Sequence, residues 1–279
     1  MFVVVAVALL VVLAGVTVAA GLIAIRRPGA HAGGPTSWGQ ALAARIGSLR
    51  AVVVTALVGW VTTGLVALGL GYLAKSLESS IDRPVFDFVH SRVTHNAFTT
   101  LNSKLTQLGY NPFVELVALV SIVVLCFVYR SRWWLPVVAV VLAFAAEKYM
   151  QKYLGSIVDR GHPPTTLGTY PSGGVGRMLG IYSMIIALII VASPRMSRPW
   201  RIGLWTGLVT ATTIEGYTRV YLSLHWFTDV LFAFVFGGLL CVTNVVALGA
   251  VTGPATSSRQ TATPTDSPGA GKHPAVTAT

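Results

Sequence analysis

Charged side chains are scarce in this sequence: they make up 10% of its 279 residues, whereas 54% of the residues are hydrophobic. Soluble domains carry about a quarter charged residues, so this composition excludes an ordinary soluble domain and favours a membrane protein. Acidic residues are the scarcest, with 9 Asp and Glu against 20 Lys and Arg. The basic residues form short clusters between apolar runs and not a continuous basic stripe, so we expect no nucleic-acid partner.

Cysteine is almost absent as well. The two cysteines, Cys126 and Cys241, lie within separate apolar runs. They provide neither a disulfide framework nor a thiolate metal site, and we interpret them as packing residues. The sequence also lacks a glycine-rich phosphate loop of the nucleotide-binding kind.

Long apolar stretches are abundant, and a helix needs roughly 20 such residues to cross a bilayer. The stretches cover residues 2–25, 51–73, 112–129, 133–150, 178–193, 203–222 and 229–251. They predict an all-α, polytopic membrane helix bundle with about seven transmembrane helices. We expect residues 1–50 to form a retained N-terminal anchor and linker, 51–251 a membrane domain, and 252–279 a disordered tail that is too polar to fold.

Arginine clusters between the stretches indicate the orientation, because cytoplasmic loops carry an excess of Arg and Lys. The clusters are Arg26, Arg27, Arg45 and Arg50, then Arg130 and Arg132, then Arg195, Arg198 and Arg201. If they lie inside, loops 74–111, 151–177 and 223–228 lie on the outer face, most simply of the plasma membrane. The inverted topology stays open, because Lys75, Arg83, Arg92 and Lys104 would then also lie outside.

Loop 74–111 has a helical pattern of its own. Its apolar positions Ile81, Val85, Val89 and Val93 are spaced for a helix that lies along the membrane interface. A solvated connecting helix would fit the same pattern.

Ionisable residues that border apolar spans are costly in a membrane and therefore indicate function. Arg219, His225 and Asp229 occur together around the junction of the last two stretches. His225 and Asp229 are one helical turn apart, so a helix would let the carboxylate hold one imidazole nitrogen as an N–H. The other nitrogen would be free to attack. Glu215 lies one turn before Arg219, which predicts an ion pair within the membrane that orients the arginine.

A second group of candidates lies upstream. Ser172 and Gly173 precede an apolar helix, whose exposed backbone N–H groups favour an oxyanion. Lys152, Arg160 and His162 follow the fourth stretch. Several cations that converge on one pocket would clamp a phosphoryl group, so these residues predict a phosphate site.

At these residues the sequence resembles the membrane lipid phosphatase branch of the type 2 phosphatidic acid phosphatase family, which shares its core with vanadium haloperoxidases. The resemblance covers roughly residues 78–245, including Ile81-Asp82 in its lead-in. The family's Ser-Arg, His and Asp motif matches in spacing, with Thr218 in place of Ser. By resemblance, His225 would form a phosphohistidine, Asp229 would orient it, and Arg219 would bind phosphate.

The second family motif, Pro-Ser-Gly-His, is altered here. Gly174 stands where the histidine would protonate the leaving oxygen. Ser172 and the backbone of Gly173 remain as expected phosphate ligands. Arg177, three residues past Gly174, could stabilise charge in the vacated space, but a guanidinium is a poor proton donor.

The first family motif, a Lys and an Arg-Pro step, is degenerate. Arg160 remains as an expected phosphate ligand, whereas His162 stands where the Arg of that step would be. Lys152 is displaced by about one helical turn, and Lys148 is its rival for the same role. His162 is also a candidate acid if its loop folds over the site.

The missing acid bears on the substrate, because a diphosphate lipid releases a weakly basic monophosphate whereas a monophosphate lipid releases an alkoxide. The resemblance implies a phosphohydrolase for lipid phosphates, and the missing acid favours a polyprenyl-type or other lipid diphosphate over a monophosphate. We expect no cofactor and no metal, because basic side chains supply the positive charge. A lipid-diphosphate-dependent phosphotransferase and a non-catalytic lipid-binding pseudoenzyme are the alternatives. The oligomeric state stays open.

Overall fold

The computed structural model describes residues 35–165 and 168–252. The predicted first span, 2–25, lies outside the described residues, as do Arg26 and Arg27. The predicted tail lies outside them too, apart from Thr252.

Helices form nearly all of the described part. They are α1 Pro35–Ile46, α2 Ser48–Ser76, α3 Arg83–His90, α4 Ala97–Leu105, α5 Asn111–Val128, α6 Trp134–Val158, α7 Gly173–Ala192, α8 Arg198–Tyr221 and α9 Phe227–Thr252. A π-helical turn, Glu78–Asp82, leads into α3, and a second one, Met178–Tyr182, lies within α7. The predicted all-α membrane bundle is confirmed.

Five of these helices, α2, α5, α6, α7 and α9, are long and apolar enough to cross a membrane. Helix α8 occupies the predicted sixth stretch, but it carries Arg198, Arg201, Glu215 and Arg219 and does not reach the same hydropathy. Its 24 residues nevertheless rise about 36 Å, which is enough to span the hydrocarbon core. The described residues therefore contain five clear spans and one polar helix of spanning length.

Several helix boundaries differ from those predicted, among them those of α6 and α7. Helix α6 continues to Val158, two turns beyond residue 150, because Leu154 and Val158 are buried on its inner face. Helix α7 begins at Gly173 and not at residue 178. The apolar periodicity missed its first turn because Gly173 and Gly174 add no hydrophobic side chain.

The connecting segment 74–111 contains two short helices, α3 and α4, and the predicted helix through Ile81, Val85 and Val89 is found there with its end at His90. Helix α3 ends at His90, so Val93 lies outside it. A new helix starts at Ala97, where the Asn96 side chain accepts a hydrogen bond from the Thr99 N–H at 3.0 Å and caps α4. The apolar spacing through Val93 therefore continues past the end of the helix.

Helix α9 is the centre of the bundle and contacts α1, α2 and α7. Phe236 and Leu240 on α9 are buried with Tyr170 and with residues of α2 and α6. The outward faces of α2 and α5 expose large apolar side chains such as Leu57 and Leu119, as expected for surfaces that contact lipid. The end of α6, the start of α7, the end of α8 and the start of α9 meet at one end of the bundle.

Gly71 on α2 makes the close approach of α2 to α6 possible. A Cβ at this position would lie 2.8 Å from the Tyr170 ring and would overlap Val158. We predict that Gly71→Ala destabilises the protein by about 1–3 kcal/mol through overpacking. Thermal unfolding in detergent measures the effect.

Gly69, one half-turn away, is the matched control, because a Cβ there would meet nothing within 4 Å. Both substitutions change the same helix propensity, so their difference isolates packing. Equal unfolding temperatures for Gly69→Ala and Gly71→Ala would contradict the prediction.

Candidate active site

A cavity of about 300 Å³ opens at the end of the bundle where α6, α7, α8 and α9 meet. Its lining includes the start of α5 at Tyr110, Asn111 and Pro112, together with Gln151, Gly168, Thr169, Gly173, Gly174, Arg177, Arg219 and His225. Four predicted site residues, Gly173, Arg177, Arg219 and His225, therefore share one cavity.

His225 lies at the wall of this cavity with Asp229 behind it. The His225 Nδ1 atom is 3.7 Å from Asp229 Oδ2. Asp229 is fully buried at the start of α9, and its Oδ2 atom accepts a 3.3 Å hydrogen bond from the Trp226 N–H. With Nδ1 turned towards the carboxylate, Nε2 is the ring nitrogen left for a reacting group. The pairing arises although His225 itself precedes the helix.

Arg160 lies behind the catalytic pair and does not line the cavity. Its guanidinium is 1% exposed and lies 3.2 Å from Asp229 Oδ1. It also donates hydrogen bonds to Asp82 Oδ2 at 2.5 Å and to Thr228 Oγ1 at 2.8 Å. In this arrangement Arg160 contacts the orienting carboxylate, and the structure does not bring it together with the other predicted phosphate ligands.

Asp82, from the π-helical turn before α3, is a fully buried member of this network. Its carboxylate accepts hydrogen bonds from the Thr228 backbone N–H at 2.9 Å and from the Thr228 hydroxyl at 2.7 Å. It therefore caps the first turn of α9 from a distant part of the chain. Burial raises the pKa of Asp82, and the hydrogen bonds from Thr228 and Arg160 oppose that rise.

Ser172 and Gly173 are held by the loop that leads into α7. The Tyr170 hydroxyl donates to the Ala67 carbonyl oxygen at 2.6 Å, and the Ser172 N–H donates to the Asp229 carbonyl oxygen at 3.2 Å. Burial raises the pKa of the Tyr170 hydroxyl, so it stays a donor. The Ser172 Oγ atom is buried and has no hydrogen-bond partner among the described residues. The next residue, Gly173, lines the cavity.

Arg177 and Arg219 bring two guanidinium groups to the cavity, each beside a buried carboxylate. Arg177 Nε lies 3.6 Å from Glu147 Oε2, and Arg219 Nε lies 2.6 Å from Glu215 Oε1. The ion pair that the spacing of Glu215 and Arg219 predicted is confirmed. Because each guanidinium has five N–H groups, most of its donors remain for an anion.

The 3₁₀ turn Thr106–Gly109 orients both arginines. Arg177 Nη1 donates to the Gly109 carbonyl oxygen at 2.7 Å, and Arg219 Nη2 donates to the Thr106 carbonyl oxygen at 3.4 Å. The Arg219 guanidinium also lies 4.5 Å from the centre of the Tyr110 ring, a cation–π contact. Arg177 packs against Gly173, and the space beside Gly174 contains Glu215 and Arg219.

Lys152 and His162 are not brought to this cavity. Lys152 is exposed, because the inward face of α6 carries Glu147, Gln151 and Leu154, and Lys152 is one residue off that face. His162 is exposed, with its Nδ1 atom 2.9 Å from the Pro163 carbonyl oxygen. Gln151 lines the cavity on α6, where a lysine was expected. Lys148 borders a separate groove between α5 and α6.

The sequence did not single out Asp82 or Glu147 as site residues. Both are fully buried. A signal existed for Glu147, which is an acidic residue within an apolar stretch and therefore a functional candidate by default. The resemblance marked Ile81-Asp82 only as part of the family's lead-in. The partner of Asp82, Thr228, is 146 positions away, so local spacing did not assign Asp82 to the site. Among the described residues no cluster of three His, Cys, Asp or Glu side chains could hold a metal ion.

Fold and site together describe an integral membrane protein with a buried His–Asp pair and an arginine-lined cavity at one end of its helix bundle. Residues 148–250 match the family model described as the PAP2 superfamily. The resemblance to this superfamily that the sequence indicated is thereby confirmed, and the matched segment contains every predicted site residue. The roles of the individual motif residues stay predictions.

A solved structure gives the same picture of the fold. The chain is similar to the crystal structure of a transmembrane PAP2-type phosphatidylglycerolphosphate phosphatase from Bacillus subtilis, with a TM-score of 0.56 and 22% sequence identity. The alignment covers 65% of this chain and 91% of the other. No curated protein sequence matches the chain.

The hydrogen bonds of Asp82 generate a stability prediction. Asp82→Asn removes the charge that Arg160 and Thr228 contact, and we expect a loss of about 2 kcal/mol, as for a buried hydrogen bond to a charged group. Glu78→Gln is the matched control in the same π-helical turn. Glu78 pairs with Arg83, whose side chain is 64% exposed, so its loss should cost less than about 1 kcal/mol. Unfolding in detergent compares the two, and equal shifts would contradict the role of Asp82.

Proposed function

We propose that this protein is a membrane phosphohydrolase that removes phosphate from a lipid phosphate, and preferentially from a polyprenyl-type lipid diphosphate. The observation that carries the proposal is the His225–Asp229 pair at a cavity lined by Arg177 and Arg219. An imidazole with an orienting carboxylate is a nucleophile, and two guanidinium groups suit the charge of a phosphoryl group. The PAP2 superfamily match supports the same assignment.

In the proposed reaction, His225 Nε2 attacks phosphorus while the bond from phosphorus to the leaving oxygen breaks. The product is a phosphohistidine whose Nδ1–H faces Asp229, and that carboxylate stabilises the positive charge on the ring. Arg177, Arg219 and the Ser172 hydroxyl contact the phosphoryl oxygens. Water then attacks phosphorus, which returns the neutral imidazole and releases inorganic phosphate with the oxygen and protons of that water.

The preference for a diphosphate follows from the groups around Gly174. The residues beside it are Glu215 and Arg219, which form an ion pair, and Arg177 carries a guanidinium that does not give up a proton at physiological pH. A lipid diphosphate substrate releases a lipid monophosphate, which departs as an anion without a proton. A lipid monophosphate substrate releases an alkoxide, which needs a proton. The lipid diphosphate is therefore the better substrate for this site.

A groove between α5 and α6 supports a lipid substrate. It has a volume of about 330 Å³ and is lined by apolar residues such as Ile122, Val141 and Phe144. Its polar end, at Glu115 and Lys148, lies one helical turn below the cavity residues on the same two helices. A hydrocarbon chain in this groove would bring its head group to the cavity from the bilayer.

Arginine placement supports an outward-facing site at the plasma membrane. Arg130 and Arg132 follow α5, and Arg195 and Arg198 follow α7. Both loops are at the opposite end of the bundle from His225, so the positive-inside rule favours the extracytoplasmic side for the cavity.

Two alternatives are separated by the products. A phosphotransferase would pass the phosphoryl group to a lipid or glycan acceptor and release little free phosphate. A non-catalytic lipid-binding protein would release no phosphate. The carboxylates beside Arg177 and Arg219 favour this alternative, because they partly neutralise the positive charge of the site.

The central prediction concerns His225. Purified protein in detergent is assayed for phosphate release from a panel of lipid monophosphates and diphosphates, and we expect His225→Ala to abolish release and phosphohistidine formation, a loss of at least about 10³-fold. His90→Ala is the control, because His90 is exposed on α3, stacks on Phe86 and does not line the cavity.

Release that survives His225→Ala would exclude the phosphohistidine mechanism. Equal or faster release from the monophosphates would contradict the diphosphate preference and leave the phosphatase assignment intact. Transfer of label to an acceptor without free phosphate would favour the phosphotransferase.

A second prediction tests the groove. Ala145→Trp would fill it, and we expect KM for a long-chain lipid diphosphate to rise at least about tenfold, since each buried methylene contributes about 0.8 kcal/mol. A short, water-soluble diphosphate should keep its KM. Leu142→Trp is the control, because Leu142 is 46% exposed on α6 outside the groove. An equal rise for both substrates or both variants would exclude the groove as the site of the chain.

A further inference from the structure

Position 174 has no room for a side chain. A Cβ added to Gly174 would lie 2.5 Å from Glu215 Oε1, 2.9 Å from Arg219 Nη2 and 3.0 Å from Arg219 Nε. Real Cβ atoms do not approach other heavy atoms so closely. The ion pair of Glu215 and Arg219 therefore occupies the place where a side chain at position 174 would begin.

Gly109, from another segment of the chain, packs closely against the same Glu215 carboxylate. A Cβ there would overlap Glu215 Oε1 and lie 2.8 Å from the Gly174 Cα atom. Glu215 is fully buried, and two glycines from separate parts of the chain pack against its carboxylate. Glu215 does not line the cavity, whereas Gly174 and Arg219 do.

Glu215 is the strongest contact of Arg219. The Arg219 Nε atom donates to Glu215 Oε1 at 2.6 Å, whereas the hydrogen bond to Thr106 is 3.4 Å long and the Tyr110 ring provides only a face. A hydrogen bond between two charged groups is about twice as strong as a neutral one. The direction in which Arg219 presents its remaining donors is thus set mainly by Glu215.

We propose that Glu215 is a positioning residue for Arg219 and that Gly174 and Glu215 form a matched pair. The missing side chain at position 174 admits the carboxylate, and the carboxylate holds the guanidinium that contacts the phosphoryl group. This inference rests on the proposed function for the role of Arg219. The glycine at position 174 and the Glu215–Arg219 ion pair then belong to one working arrangement of the site. Gly174 is therefore no argument for a non-catalytic protein.

The test is a double-mutant cycle measured by phosphate release from a lipid diphosphate. Gly174→Ala forces Glu215 away, so Gly174→Ala and Glu215→Ala should each lower kcat/KM by about tenfold or more, as when a hydrogen bond to a charged group is lost. The double variant should be no worse than Glu215→Ala, because the displaced group is already gone. Glu215→Gln should stay within about threefold of wild type, because its amide oxygen can accept the same bond.

Gly180→Ala is the matched control on the same helix, because its Cβ would meet Leu240 at an ordinary 3.6 Å. It should keep wild-type activity. Wild-type activity in Gly174→Ala, multiplied effects in the double variant, or equal losses in Glu215→Gln and Glu215→Ala would each overturn the proposal. If Glu215→Ala does not fold, the comparison of Gly174→Ala with Gly180→Ala and the activity of Glu215→Gln still decide it.

Two further readouts separate this inference from the proposed function. Thermal unfolding of the same four variants needs no activity and should show the same non-additive pattern. Binding of orthovanadate, measured by calorimetry, should weaken about tenfold in Gly174→Ala and Glu215→Ala but not in Glu215→Gln. If wild-type protein releases no phosphate but shows this vanadate pattern, the proposed function fails and the positioning role stands. Equal vanadate affinity in all variants overturns the positioning role.

Discussion

Charged groups inside a membrane bundle are stable only when they are paired, and the end of this bundle is built from such pairs. Arg160 lies between Asp82 and Asp229, Arg219 lies against Glu215, and Arg177 lies beside Glu147. Taking any of these ions out of water costs several kcal/mol, and removing one partner leaves the other uncompensated. The pairs therefore restrict how the helices that carry them can sit relative to one another.

This restriction joins segments that are distant in sequence. Asp82 ties the π-helical turn before α3 to the first turn of α9 through Thr228, and Arg160 joins the loop after α6 to the same place. The turn Thr106–Gly109 accepts hydrogen bonds from α7 and α8. His225 is positioned by this assembly, because its partner Asp229 is fixed by Arg160 and Trp226. The proposed chemistry therefore depends on the residues that hold Asp229 as well as on the His225 imidazole.

The same pairing shapes how an anion would bind. Each guanidinium at the cavity shares its charge with a carboxylate, so the donors of Arg177 and Arg219 are well oriented but their net charge is partly cancelled. Orientation then matters more than total charge, which is why the surroundings of Gly174 bear on function. Because the glycine at position 174 has no Cβ, the Glu215 carboxylate has room beside it and can hold Arg219 in the proposed position.

The sequence by itself determined the membrane class, most of the helices and the His225–Asp229–Arg219 group, because apolar runs and residues one turn apart are local properties of the chain. It also predicted the Glu215–Arg219 ion pair, for the same reason. Only the tertiary structure decided that Gln151 and not Lys152 faces the cavity, that Arg160 contacts Asp229, and that Asp82 belongs to the site. These outcomes depend on the rotation of α6 and on contacts between residues far apart in sequence, which local spacing does not encode.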